Sequence, residues 1–99
     1  MRRLPPPAWT KPLHQALETY LLVATQHQGL QATQARPLAF ELIDQIATLL
    51  TRQLPILPPE VMLHLAAAQK AATPLNIPIL AREVTSAIDA AITASASRP

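Results

Sequence analysis

The chain has 99 residues, of which 49% are hydrophobic and 14% are charged. This composition predicts a single globular domain, because a disordered chain would be less apolar and more highly charged. The absence of cysteine excludes disulfides and thiolate chemistry. A formal net charge of +2 permits contact with a polyanion without indicating it.

The N-terminal sequence MRRLPPPAW contains two arginines but no apolar stretch behind them. We therefore predict no secretion signal, and no stretch elsewhere is apolar enough over about 20 residues to predict a membrane span. We expect a cytoplasmic protein that has no membrane partner.

Eleven prolines fall between four long proline-free stretches of the chain. Proline is tolerated in the first turn of a helix but not in its interior, so these positions predict four helices separated by proline-set joints. We assign residues 1–10 to an N-terminal proline-rich tail, residues 11–95 to one helical bundle domain and residues 96–99 to a C-terminal tail.

The first helix is predicted at about residues 11–28, because its apolar residues recur with a helical period. They are Leu13, Ala16, Leu17, Tyr20, Leu21 and Ala24. Gly29 is the one residue of the chain suited to a left-handed cap at its end.

The second helix is predicted at about residues 37–54. Its start is placed at Pro37 because the residue before a proline is biased away from the α region, and that residue is Arg36. Its buried face is predicted to include Leu42, Ile43 and Ile46.

The third helix is predicted at residues 59–72 and the fourth at about 77–94. The third is apolar around nearly its whole circumference, which indicates a helix that is enclosed by others or covered by a partner. Together the four segments predict an all-α fold, a compact bundle of four helices.

The joint before the third helix reads RQLPILP, which has the spacing of a polyproline II ligand. We favour a rigid corner between two helices, with Arg52 exposed at its rim and Ile56 and Leu57 against the end of the bundle.

The residues do not indicate an enzyme. The three histidines fall on different helices or helix ends, and a single glycine excludes phosphate-binding loops. Glu41 and Asp44 form the one close acidic pair, which a solvated helix face explains. We predict no catalytic residues, no metal and no cofactor.

Two sets of residues are candidates for binding. Basic side chains at helix ends and joints can reach a nucleic-acid backbone without crossing the core. They are Lys11, Arg36, Arg52, Lys70 and Arg82. An apolar excess on the third helix and at the start of the fourth indicates a partner surface. It comprises Met62, Leu63, Ala66, Ala67 and Ile79.

The segments PLHQALETYLLVA and ARPLAFELIDQIATLLTRQ, together with the dispersed arginines, give the chain an organisation that resembles the small helical-bundle subunits of CRISPR effector complexes. The resemblance covers most of the chain. It implies a non-catalytic subunit in antiviral defence that contacts RNA or DNA backbone through Arg and Lys. It also implies packing on protein subunits of the complex, including copies of itself.

We therefore predict a non-catalytic assembly subunit of a larger complex, of the ribonucleoprotein kind. The alternative is a protein–protein adaptor or scaffold module that makes no nucleic-acid contact.

Overall fold

The computed structural model describes residues 8–26 and 32–96 of the chain. A short 3₁₀ turn at Ala8–Thr10 leads into four helices: α1 (Lys11–Gln26), α2 (Ala32–Gln53), α3 (Pro59–Ala72) and α4 (Ile77–Ala96). The predicted all-α bundle of four helices is confirmed. The bundle is elongated, with dimensions of 47 × 25 × 22 Å.

The helix boundaries follow the prolines closely in the second half of the chain. Helix α3 has the predicted bounds, and α4 begins at the predicted residue and runs two residues further, to Ala96. Helix α1 begins at Lys11 as predicted, whereas its predicted last residues and Gly29 lie outside the described residues. In the segment assigned to the N-terminal tail, Trp9 lies in the 3₁₀ turn and packs partly buried against the core.

Helix α2 begins five residues earlier than predicted, so that Pro37 lies inside the helix rather than at its start. The proline removes one backbone hydrogen bond at that position. Burial of Ala35 and a hydrogen bond from the Tyr20 hydroxyl to the Ala35 carbonyl oxygen, 3.3 Å long, hold this first part of the helix against α1. These tertiary contacts outweigh the local preference of Arg36 for an extended conformation.

The core is aliphatic and draws on all four helices. Burial of each large aliphatic side chain stabilises the fold by about 1.5–3 kcal/mol relative to leaving it in water. The largest fully buried apolar side chains are Leu13 of α1, Ile43, Ile46 and Leu50 of α2, Val61 of α3, and Leu80, Val84 and Ile88 of α4. Within the described ranges, Tyr20 is the one aromatic residue that is buried.

Helices α3 and α4 form an antiparallel hairpin, and α3 packs more extensively on α4 than on any other helix. Both helices of this hairpin carry buried alanines: Ala68, Ala71 and Ala72 on α3, Ala87 and Ala91 on α4. Side chains this small let two helix backbones approach closely. The hairpin is therefore the most tightly joined unit of the bundle.

The turn between α3 and α4 contains a strained residue. Leu75 has φ of 57°, in the left-handed region that glycine adopts more readily. Its N–H donates to the Ala72 carbonyl (3.0 Å), and the N–H of Asn76 donates to the Ala71 carbonyl (2.8 Å). This pair of bonds closes the C-terminus of α3 in a Schellman motif. Asn76 then caps α4, since its side-chain oxygen accepts the N–H of Ile79 at 3.4 Å.

We expect Leu75→Gly to be more stable than Leu75→Ala by about 1 kcal/mol, because both variants lose the leucine side chain but only glycine removes the Cβ penalty of the left-handed conformation. Urea denaturation of the two variants measures the difference in free energy of unfolding. Equal stability of the two would contradict a left-handed residue at this turn.

Candidate functional site

The most exposed apolar surface of the bundle's helices lies on α3. Met62 is 58% and Leu63 69% exposed, and Ala66 is exposed beside them. Successive helical residues are about 100° apart, so these three side chains share a sector of about 100° with Ala66 near its middle. We call Met62, Leu63 and Ala66 the α3 stripe.

The opposite half of α3 is fully used by the bundle. Val61, Leu65, Ala68 and Ala72 are buried there. A helix that is apolar all round thus has its inner half enclosed and its outer half open. Met62, Leu63 and Ala66 of the predicted partner surface are therefore exposed, as a binding surface must be.

The other two candidates of that surface, Ala67 and Ile79, lie at the edge of the stripe. Ala67 is half-buried, and Ile79 of α4 is 38% exposed. Nδ1 of His64 lies 2.8 Å from Oε2 of Glu83, which fixes the alignment of the two antiparallel helices. One turn from this pair toward the hairpin turn, Ala67 and Ile79 therefore lie at the same height. Ile79 thus lies on the neighbouring helix, level with one end of the α3 stripe.

The five candidate basic residues are all exposed, but they are spread over four helices. Arg36 and Arg52 are 16 residues apart on α2, which separates them by about 24 Å along the axis and about 160° around it. Lys70 and Arg82 lie on the outward sides of two different helices, and Lys11 begins α1. Among the described residues, none of the five forms an ion pair.

The charge of the bundle differs from that of the whole chain. The described ranges contain five Lys and Arg against six Asp and Glu, one negative charge net. The positive balance of the whole chain therefore depends on Arg2, Arg3 and Arg98, which lie outside those ranges. The part of the chain with a described structure has no basic excess to attract a polyanion.

The joint between α2 and α3 does not offer a free polyproline ligand. Leu54 is buried and its N–H donates to the Leu50 carbonyl at 2.8 Å, which continues the last turn of α2. Arg52 is exposed at the rim, as predicted, and Leu57 packs against the core. The expectation for Ile56 was wrong: its side chain is 80% exposed, because the bend at Pro55 turns it away from the bundle end.

A surface groove of about 450 Å³ runs between α1 and α2. Ala16, Val23 and Leu38 contribute apolar surface, and the acidic pair Glu41 and Asp44 also lines it. Sequence reasoning missed this groove. The available signal was that Val23 and Leu38 are apolar residues beside, rather than on, the main buried stripes of their helices.

Tyr20 closes part of this groove and ties α1 to α2. Its ring is buried, and its hydroxyl donates the hydrogen bond to the Ala35 carbonyl described above. Burial disfavours the charged phenolate and raises the pKa of the Tyr20 hydroxyl above its ordinary value of 10.0.

In residues 8–26 and 32–96, no three or more His, Asp and Glu side chains are grouped so that they could bind a metal ion. None of the described helices combines the length and the hydropathy needed to cross a bilayer.

Comparison of the chain with protein-family models, with curated proteins and with solved structures finds no significant match. The resemblance to CRISPR small subunits therefore stays a prediction.

We expect the ionisation of Tyr20, the one tyrosine of the chain, to occur above pH 10 in the folded protein and near pH 10 in urea. Because the folded-state pKa is the higher one, this group leaves stability unchanged below about pH 10 and lowers it as the pH rises further. Absorbance at 295 nm as a function of pH measures both midpoints.

The variant Tyr20→Phe separates the two roles of this residue. The stability of this variant should no longer fall at alkaline pH through ionisation of residue 20. At neutral pH its free energy of unfolding should be about 0.5–1.5 kcal/mol lower than that of the wild type, because the hydrogen bond to Ala35 is absent. Identical midpoints in the folded and unfolded wild type would contradict the burial of the hydroxyl.

Proposed function

We propose that the protein is a non-catalytic assembly subunit that docks on a protein partner through the α3 stripe. The observation that carries the proposal is the exposure of Met62 and Leu63 on a helix whose other half is already buried. Contiguous apolar surface of this kind marks an interaction site more often than scattered single apolar residues do.

The shape of the stripe favours a helix as the partner element. The stripe is narrow, follows a helix of 14 residues, and has a small residue, Ala66, between two large ones. A second helix can approach closely over Ala66 while Met62 and Leu63 pack on either side of it. Burying the two large side chains would contribute about 1.5–3 kcal/mol each if they were fully exposed beforehand, and less for their present partial exposure.

Contact with nucleic-acid backbone, which the resemblance implies, is the less favoured part of the prediction. Each of Lys11, Arg36, Arg52, Lys70 and Arg82 is accessible to a phosphate, but they are dispersed, and Arg36 and Arg52 lie on nearly opposite sides of α2. The geometry therefore gives more support to the alternative, an adaptor or scaffold module that binds protein.

Assembly is tested with Leu63→Glu and the matched control Ile56→Glu, which places the same charge on another exposed apolar residue. Both substitutions lie outside the core, so both variants should melt within a few degrees of the wild type. Tagged chains are purified from native cells, and their companions are identified and quantified by mass spectrometry. We expect a companion, or a second copy of the chain, to be retained by wild type and Ile56→Glu and lost at least tenfold by Leu63→Glu.

Two results would contradict the proposal. One is a wild-type chain that purifies alone and monomeric at all concentrations. The other is a companion that Leu63→Glu retains as well as Ile56→Glu does.

Nucleic-acid contact is tested by the salt dependence of binding. We expect the full chain to bind a short labelled RNA no more tightly than non-specific binders do, with a dissociation constant of about 10⁻⁴–10⁻⁶ M. Each phosphate contact that is removed lowers the slope of log affinity against log salt by about one. Because Arg52, Lys70 and Arg82 lie on three helices, we expect their joint replacement by alanine to lower the slope by no more than about one. Fluorescence anisotropy from about 50 to 200 mM salt measures it, and a decrease of about three would instead establish a shared phosphate-binding face.

A further inference from the structure

We propose that the partner of the α3 stripe is the α3 stripe of a second copy of this chain, packed antiparallel about a two-fold axis next to Ala66. This inference rests on the proposed function and names the partner of the same site. It is carried by the distribution of charge and side-chain size along the exposed half of α3.

Charge is placed at opposite ends of the stripe. Glu60 lies in the first turn of α3 and Lys70 in the last, and both side chains are exposed. Neither forms an ion pair within the described part of its own chain. Both lie on the same side of the stripe as Leu63, because helical periodicity places Leu63, Lys70 and Glu60 at about 60°, 40° and 120° from Ala66 in the same direction.

An antiparallel pair brings these opposite charges together. With the two-fold axis at the height of residue 65, Glu60 and Lys70 are each five residues from it, about 7.5 Å along the helix. A two-fold axis perpendicular to both helices keeps each side of the stripe on the same side of the pair. Glu60 of one copy then lies level with Lys70 of the other, twice per dimer. A parallel pair would instead place each charge level with its own copy, on opposite sides of the pair, and would leave both without an opposite charge beside them.

Side-chain size has the same symmetry. In this arrangement Leu63 lies level with Ala67 of the second copy, so a large side chain faces a small one on both sides of the axis. Ala66 lies within one residue of the axis and permits close approach of the two backbones. Self-complementarity of charge and of size is what a two-fold symmetric interface requires.

The stripe is short, and the interface it offers is at the small end of specific protein contacts. The dimer is therefore expected to form reversibly and to be favoured by low salt, because its ion pairs lie at an exposed rim.

The charge pattern is tested by sedimentation of the purified full chain over a wide concentration range. Lys70→Glu places two carboxylates at each rim contact, and Glu60→Lys places two ammonium groups there. We expect each single variant to weaken the dimer at least about fivefold at low salt, whereas the double variant with both changes restores wild-type affinity to within about twofold. Failure of the double variant to recover would overturn the antiparallel arrangement.

The two-fold axis is tested by oxidation, because the chain has no cysteine of its own. Ala66→Cys should form a disulfide-linked dimer under dilute, mildly oxidising conditions, since two residues beside the axis come within disulfide reach. Ile56→Cys is the control, an exposed position outside the α3 stripe that should stay monomeric under the same conditions. Cross-linking of both variants at equal rates would show random collision and overturn the assignment. Circular dichroism and thermal melting confirm that all variants are folded.

The outcomes separate this inference from the proposed function. A wild-type chain that remains monomeric at high concentration, but captures a different protein in a way that Leu63→Glu abolishes, overturns the self-pairing and supports docking on α3. A dimer that Leu63→Glu leaves intact uses another surface and also overturns it. A wild-type chain that stays monomeric and captures no protein through Leu63 overturns both the self-pairing and the proposed function.

Discussion

The close approach of α3 and α4 is the constraint on which the surface of this protein depends. Helix α3 packs more extensively on α4 than on any other helix, and both helices carry buried alanines, such as Ala68 on α3 and Ala87 on α4, whose small side chains permit close approach. The large apolar residues Met62 and Leu63 lie on the other half of α3, where none of the described elements covers them. The same helix therefore supplies the tightest internal packing and the most apolar open surface.

The second half of the fold could be predicted from the sequence because its prolines act only locally. Pro59 and Pro78 lie in the first turns of α3 and α4, where proline costs no helical hydrogen bond, and the boundaries follow them. The start of α2 was wrongly predicted at Pro37, because the same rule cannot distinguish a proline that starts a helix from one that lies inside it. That distinction is made by Ala35 and Tyr20, which belong to different helices and meet only in the folded chain.

The candidate site was predictable in part for the same reason. Periodicity alone indicates that an all-round apolar helix has more apolar surface than a small bundle encloses, and it places Met62, Leu63 and Ala66 together. It cannot say that Ile79 meets the edge of that surface, since this depends on the alignment that the His64–Glu83 contact reports. The dispersal of the basic residues and the α1–α2 groove likewise depend on how helices are rotated against each other. No local pattern encodes that rotation.

Pro37 has a consequence for how the bundle opens. It has no N–H to donate to the carbonyl four residues earlier, so the hydrogen-bond ladder of α2 is interrupted between its first turns and the long segment that follows. The segment before the interruption is held to α1 by the buried Ala35 and the Tyr20 hydroxyl. We therefore expect the start of α2 to depend on these contacts with α1 more than the long segment after Pro37 does, since local stability follows buried contacts and hydrogen bonds. A phenolate cannot donate a hydrogen bond, so ionisation of Tyr20 in alkaline solution removes one of the two contacts that hold the start of α2 to α1, and leaves the α3–α4 contact untouched.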